Sequence, residues 1–336
     1  MLGTFGFIHE SSARSLAVES GMGDQSPIRC PVICGPTAGG KSSLAMSLAS
    51  LLSTKGIGAE IVSADAYQVY RSMDIGTAKA SQEDWRLVPH HMIDIIDPTE
   101  TFTVNQWLRQ AEDAIADIRS RGRVPIVVGG THLFIKALVD GLFEGPEPDE
   151  KIRETLRAMP AGELRAELER VDPASAERLH PNDLRRTIRA LEVHRQTGQT
   201  ISSLQTQWDR DHPRDPDLRL IVLDWPTEAI NSRINARVRQ MRAMGLTEEA
   251  RSLHESGRLG QTAGQALGYK QLVSHFVGQC SEDEAYEQIK IETRRFAKNQ
   301  RTWLRRLRMT PESLSLSLRN QTPEELSQLV YQQVVG

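Results

Sequence analysis

The sequence is poor in the features that mark special classes of protein. It has three cysteines, Cys30, Cys34 and Cys280. They are few, odd in number and not at metal-ligand spacing, which argues against a disulfide framework and for a reducing compartment. Cys34 ends an apolar run and is expected to be buried, since a free cysteine packs as a small hydrophobe. No apolar run reaches the roughly 18 residues of a membrane span. The first 26 residues lack the basic start and apolar centre of a secretory signal. A cytoplasmic location with no membrane association is therefore expected. The net charge is only −3, so any surface for nucleic acid must come from local clustering of cations. What remains is a 336-residue chain with 39% hydrophobic and 25% charged residues, a soluble globular composition large enough for one large domain or two ordinary ones.

Residues 1–26 are small and polar and carry Glu10, Glu19 and Asp24. They read either as a disordered tail or as a segment upstream of a start at Met22. From residue 28 buried strands alternate with helices: "IRCPVIC", "AEIVSAD" and "VPIVVGGT" are strands, each followed by a helical stretch. That alternation predicts an α/β fold, a parallel sheet with helices on both faces. Beyond the Pro-rich hinge "EGPEPD" no buried strand appears until "LRLIVLDW" at 218–225; the intervening chain is charged, helical and rich in arginine. The expected organisation is a P-loop NTPase-like core (27–145 and 217–310) interrupted by an all-helical insertion (146–216) and followed by a C-terminal tail (311–336).

"GPTAGGKS" matches G-x-x-x-x-G-K-[ST] in full, with a strand before it and a helix after it. Gly35, Pro36, Thr37, Ala38, Gly39, Gly40, Lys41 and Ser42 thus form a candidate phosphate cradle. Backbone N–H groups and a helix N-terminus face the anion, Lys41 adds charge, and the Ser42 hydroxyl is the candidate ligand for Mg²⁺. The motif says phosphate without saying which reaction. The acid that organises Mg²⁺ in nucleoside triphosphatases is missing, because the third strand ends in Gly129-Gly130-Thr131. The acid at a strand's C-terminal end is instead Asp65. Alone it reads more often as a turn or capping residue, but its place on the edge where α/β sheets bind ligands favours a functional role.

The ordered segments "GPTAGGKS", "IVSADAYQVYRSMDIGTAKAS", "VPHHMIDIIDP", "PIVVGGTHLFIKAL", "HPNDLRRTIRALEV", "ALGYKQ" and "TRRFAKNQRTWLRR" together resemble the tRNA dimethylallyltransferase (isopentenyl-tRNA transferase) family from about residue 30 to 308. The resemblance implies Mg²⁺-dependent transfer of a dimethylallyl group from dimethylallyl diphosphate to N6 of the adenosine next to the anticodon, on its 3′ side. The substrates would be tRNAs that read codons beginning with U. The P-loop would then grip a leaving group, and no phosphoryl group would move. Asp65 matches the family's general base. Thr37 and Thr131 match hydroxyls near the leaving oxygen and the acceptor, and Arg233 matches a diphosphate-binding arginine, with Arg237 as support one turn on. Ala66 departs from the family's usual serine. His132 is given no role, and the adjacent His90 and His91 are expected to pack structurally.

Residues 290–308 hold eight basic residues and one acid, Glu292. On a helix, Arg294, Lys298, Arg301, Arg305 and Arg308 form one stripe, with Phe296, Trp303 and Leu307 on another face. The resemblance assigns tRNA contacts to Arg294, Arg295 and Lys298. It assigns others to Asp65, Ala66, Tyr67, Gln68, Thr131, Arg153, Arg185, Arg186, Arg189, Gly268, Tyr269 and Lys270, with Tyr269 stacking and Lys270 on phosphate. The partner would be an anticodon stem-loop whose target adenine leaves its stack, and the enzyme is expected to be a monomer. Three other readings compete: a P-loop nucleotide kinase, a prenyltransferase acting on free adenine nucleotides, and a non-catalytic RNA-binding module.

Overall fold

The computed structural model of the chain describes residues 28–143, 145–204, 215–310 and 313–335. The N-terminal segment 1–26 and residues 205–214 near the end of the expected insertion lie outside them. The apolar runs become one six-stranded sheet: β1 (Cys30–Cys34), β2 (Ala59–Ala64), β3 (His90–His91), β4 (Val124–Gly129), β5 (Leu218–Asp224) and β6 (Leu314–Ser317). All pairings are parallel, in the order β3-β2-β4-β1-β5-β6. β1 is central, with Ile33 in register with Val128 of β4 and Ile221 of β5. Its residues are buried on both faces, which is why the run is apolar without alternation. The chain winds from β1 outward to both sides, so the C-terminal edge of β1 is where a crevice opens.

Helices α1 (Lys41–Thr54), α2 (Gln82–Leu87), α3 (Val104–Ser120) and α4 (His132–Asp140) belong to the first half of the core. Helix α1 covers one face of the sheet through Leu44, Leu48 and Leu52, while α3 and α4 cover the other through Trp107, Ile118 and Ile135. The insertion is α5 (Glu150–Arg157), α6 (Ala161–Val171), α7 (Pro173–Arg178), α8 (Leu184–Thr197) and α9 (Ile201–Leu204). It has an apolar cluster of its own around Leu156, Leu164, Leu168 and Leu191. After β5 come α10 (Thr227–Ala243), α11 (Leu246–Glu255), α12 (Tyr269–Phe276) and α13 (Glu282–Leu307).

Helix α13 starts at a capping box between Ser281 and Glu284. Its 26 residues span about 39 Å at 1.5 Å each. Its first turns, at Ala285, Tyr286 and Ile289, pack among α10–α12, and its last, at Leu304 and Leu307, pack under the sheet. One element therefore ties the helical C-terminal region to the edge of the sheet.

Residues 311–336, expected only as a tail, contain further core. β6 pairs with β5, and α14 (Pro323–Val335) lies against α1. The signals are the period-2 run "LSLSL" and the spacing of Leu326, Val330 and Val334, which bury one helical stripe.

Candidate active site

The P-loop owes its shape to backbone conformation and to side chains that hold its carbonyls. Ala38 (φ 59°) and Gly40 (φ 84°) are left-handed, and Gly39 N–H closes a turn on Pro36 O at 3.0 Å. Glycine takes the conformation at position 40 without strain. Lys41 Nζ donates to Pro36 O at 2.9 Å, Arg233 Nε to Ala38 O at 2.8 Å and Trp225 Nε1 to Gly39 O at 2.9 Å. The Arg233 guanidinium also lies 4.6 Å from the centre of the Trp225 ring. With these carbonyls engaged, the loop and the first turn of α1 present N–H groups that have no intrahelical acceptor, an arrangement suited to phosphate oxygens.

Asp65 follows β2 directly. Its Oδ1 accepts the Tyr67 N–H at 2.9 Å, a local turn that fixes the carboxylate. Thr131 caps α4 by position, but its hydroxyl accepts the Ala66 N–H at 3.0 Å and makes no cap bond. The turns after β2 and β4 are thereby joined beside the acid. Gln68 is tied inward: its carbonyl accepts from Ser63 Oγ at 2.9 Å and its amide donates to Thr77 O at 3.2 Å.

Three cavities meet here. One of about 100 Å³ lies over the P-loop, walled by Lys41, Ser42, Asp65, Gly130 and Arg237. A second, of about 390 Å³, has an apolar floor of Ile234, Val238, Met241, Leu246 and Ile289, and Thr131, Arg295 and Asn299 also line it. A third, of about 780 Å³, opens outside the loop beside Gly40, Ser42, Trp85 and Arg233. Thr37, Asp65, Thr77, Arg237 and Phe296 line both of the first two. Arg237, which the sequence marks only as support, lines all three. Burial lowers the Lys41 pKa to about 8, helped by the neighbouring Arg237 cation and opposed by Asp65. Burial likewise lowers the pKa of Arg237, again opposed by Asp65. Two crowded cations and one carboxylate make a site poised for a multivalent anion.

No nucleoside-triphosphatase acid appears among the described residues. β4 ends in Gly129, and Asp224, at the end of β5, pairs with Arg308 at 2.5 Å. Among the described residues no group of three or more His, Cys, Asp or Glu side chains could hold a metal ion. Ser42 stands exposed at the start of α1. Cys34 is buried, and burial pushes its thiol up to about 12. His91 pairs with Glu60 at 2.7 Å, and His132 stacks on Trp303 at 4.7 Å.

The expected RNA-contacting residues divide sharply. Arg295, Lys298 and Lys270 are exposed, while Arg294 donates to Asn235 Oδ1 at 2.7 Å. Within the basic stripe, Arg301 is held by Thr227 and Arg308 by Asp224. Arg185 is exposed and near enough to Tyr67 to lower its pKa, against the stronger upward effects of burial and of Asp65. Arg186 pairs with Asp183. Arg153 and Arg189 turn instead to the fully buried carboxylate of Glu192, at 2.9 and 2.7 Å.

Tyr269 is not placed to stack on a base. Its ring is fully buried against Gly76, where a Cβ would come within 2.4 Å of it. Its hydroxyl donates to Glu249 Oε1 at 2.5 Å. The same Glu249 carboxylate accepts the N–H groups of Asp74, Ile75 and Gly76. The residue therefore clamps the 74–78 wall of the cleft. Glu249 is not legible in the sequence as part of this site, because nothing in its helix spacing points to a loop so far back in the chain.

The model of the IPP transferase family matches residues 68–307. A tRNA dimethylallyltransferase of Geobacillus thermodenitrificans is 45% identical over 281 residues, covering 82% of this chain and 86% of the relative. A tRNA dimethylallyltransferase of Citrifermentans bemidjiense is 45% identical over 277 residues, covering 82% and 89%. The crystal structure of full-length tRNA isopentenylpyrophosphate transferase from Bacillus halodurans superposes with a TM-score of 0.65 at 34% identity, covering 91% of this chain and 97% of that one. A eukaryotic dimethylallyltransferase seen acting on tRNA gives a TM-score of 0.74 at 26% identity, covering 89% and 75%.

Proposed function

The chain belongs to the IPP transferase family, and on that premise we propose that it transfers a dimethylallyl group from dimethylallyl diphosphate to tRNA. The acceptor is N6 of the adenosine 3′-adjacent to the anticodon, in tRNAs that read codons beginning with U. The observation that carries this reading is the placement of Asp65 on the wall shared by the P-loop cavity and the apolar cavity. One compartment suits a diphosphate and the other a branched five-carbon chain, and a carboxylate stands between them.

The carbon–oxygen bond of the allylic diphosphate breaks as a carbon–nitrogen bond forms at N6. Positive charge spreads over the allylic carbons, and negative charge grows on the departing diphosphate. Lys41, Arg237, Arg233 and the loop N–H groups stabilise that growing charge. The lone pair of the exocyclic amine is delocalised into adenine, so attack needs a base. Asp65, held by the Tyr67 N–H, takes the N6 proton. Thr131 fixes Ala66 and with it the carboxylate's position. The adenine enters from the side of Thr131 and Arg295.

The donor set fits Mg²⁺, which takes few protein ligands and most of its shell from phosphates and water. Ser42 would hold it, and when bound it would neutralise diphosphate oxygens. Among the described residues no helix is long and apolar enough to cross a membrane. We read the enzyme as a cytoplasmic monomer that grips the anticodon stem-loop.

Radiolabelled dimethylallyl diphosphate, Mg²⁺ and unmodified tRNA test the reaction. Label enters RNA with the wild type, and Asp65→Ala loses about 10²–10⁴-fold in single turnover while still binding both substrates. Steady ATP hydrolysis or a phosphorylated product would return the kinase reading. Label in free adenine nucleotides but not in tRNA would favour the nucleotide prenyltransferase.

A further inference from the structure

Gln300 lies on α13, inside the stretch that reads as a basic RNA-facing stripe, yet its side chain is 3% exposed. Its Oε1 accepts the Thr37 N–H at 2.8 Å and its Nε2 donates to Gly130 O at 2.8 Å. A primary amide is the side chain that can accept at one end and donate at the other across this gap. The two partners belong to different turns of the sheet edge. Thr37 is in the P-loop. Gly130 immediately precedes Thr131, whose hydroxyl holds the Ala66 N–H next to Asp65. The spacing is tight, because a Cβ at Gly130 would come within 2.7 Å of Gln300 Nε2 and 3.4 Å of Lys41 Nζ.

We propose that Gln300 is a positioning residue for the transfer reaction: its amide sets the separation between the P-loop and the Thr131 turn. It thereby sets the distance from the diphosphate to the base. This rests on the reading given under Proposed function. Gln300 directly precedes Arg301 and follows Lys298 and Asn299, so the same helix that presents cations outward also reaches the phosphate loop inward. Both hydrogen bonds are partly buried, and a side chain that makes neither leaves an N–H and a carbonyl unpaired.

Two variants separate positioning from simple support. Gln300→Met keeps the length and loses both bonds. Gln300→Glu keeps the acceptor for Thr37 N–H, loses the donor to Gly130 O and adds negative charge beside Lys41. Wild-type transfer into tRNA judges the functional reading alone. Gln300 is judged by variant-to-wild-type ratios and by pyrophosphate affinity, which needs no turnover. With Gln300→Met we expect single-turnover transfer at saturating substrates to fall about 10–100-fold, because a misplacement near 1 Å costs on that order. Its tRNA dissociation constant should stay within about twofold, since every phosphate-facing cation is still in place. With Gln300→Glu we expect pyrophosphate to bind about tenfold more weakly, from an added like charge in a poorly screened site. A merely structural role predicts a lower melting temperature with transfer rate and pyrophosphate affinity unchanged in both folded variants. That result, or wild-type transfer by Gln300→Glu, overturns the proposal.

Discussion

Arginines on the insertion helices α5 and α8 and on α13 read alike in the sequence, and the structure uses them in opposite ways. In the insertion, Arg153 and Arg189 converge on Glu192, a carboxylate with no exposed surface, and the Arg189 guanidinium also donates to Pro146 O at 2.9 Å. They neutralise a buried acid that packs beside the insertion's apolar cluster, and burial alone would raise the pKa of that acid. The guanidinium hydrogen bonds more than reverse this and hold it below the usual carboxylate range. On α13, Arg295, Lys298 and Arg305 are exposed and have no acidic partner among the described residues. A count of cations therefore does not locate an RNA surface. What matters is whether an acid stands within reach.

The comparison breaks most visibly if the same chemical change is made in both places. Changing Arg153 and Arg189 together to Gln strands the Glu192 carboxylate. It should cost about 3–5 kcal/mol of stability, the scale for breaking a buried ion pair. In the folded fraction the slope of log K for tRNA against log salt should not move. Urea titration with filter binding at several salt concentrations measures both, and a flattened slope would make these arginines RNA contacts. Next in size is Tyr269→Phe, which removes a hydroxyl bonded to the Glu249 carboxylate and should cost about 1.5–3 kcal/mol by thermal or urea unfolding. Its tRNA affinity should hold, and the folded fraction of Tyr269→Ala, which lacks the ring, should bind tRNA as the wild type does, whereas a stacking residue would lose affinity there.

Changing Arg295 and Lys298 together to Gln should leave stability within about 0.5 kcal/mol, as at ordinary surface sites. The salt slope should fall by about 0.7 for each phosphate released from a single strand and about 0.9 for each released from a duplex. Parallel titration lines for variant and wild type would show that this face is only solvated. The smallest effect concerns a third kind of cation, half-buried and crowded by a like charge. The pKa of Lys41 is depressed to about 8, and an anion binds its protonated form, so affinity for dimethylallyl diphosphate should fall as pH rises through 8. Between pH 7 and 8.5 the loss should be about fourfold if the bound form stays protonated. Lys41→Arg, which keeps its charge, should flatten that profile. The same depression means that folding stability is reduced below pH 8, where the half-buried lysine must be charged. The penalty should lessen as pH rises from about 8 toward the lysine's ordinary value.

The parallel core and the P-loop are legible because buried strands are apolar without alternation and the phosphate motif fixes both glycines and flanking elements. Asp65 is legible from its place at a strand end. The helical insertion shows itself as a gap in the strand pattern. The rest is hidden for identifiable reasons. Glu192 looks like one more charge on a charged helix, and only three-dimensional packing turns it inward toward Arg153, 39 residues away. Gln300 sits among basic residues and reads as surface. Tyr269, flanked by glycine and lysine, reads as an exposed loop aromatic, yet it begins α12 and packs into the third apolar cluster. Leu314–Leu318 alternates with serine and is lost among polar neighbours, although a period of two is what a strand packing one face on α14 requires.

The sheet's last strand and the helix after it have a kinetic consequence. The phosphate-loop helix α1 is covered by α14, and Arg29 N–H at the head of β1 bonds Val334 O. During synthesis the central strand emerges early, but the residues that close its helix layer follow about three hundred positions later. Loop closure over that separation is slow relative to local helix formation. The insertion, whose apolar cluster is drawn from about fifty consecutive residues, can gather itself while the core still waits. A ribosome stalled before residue 314 should therefore display a protease-resistant insertion on an open, protease-sensitive core.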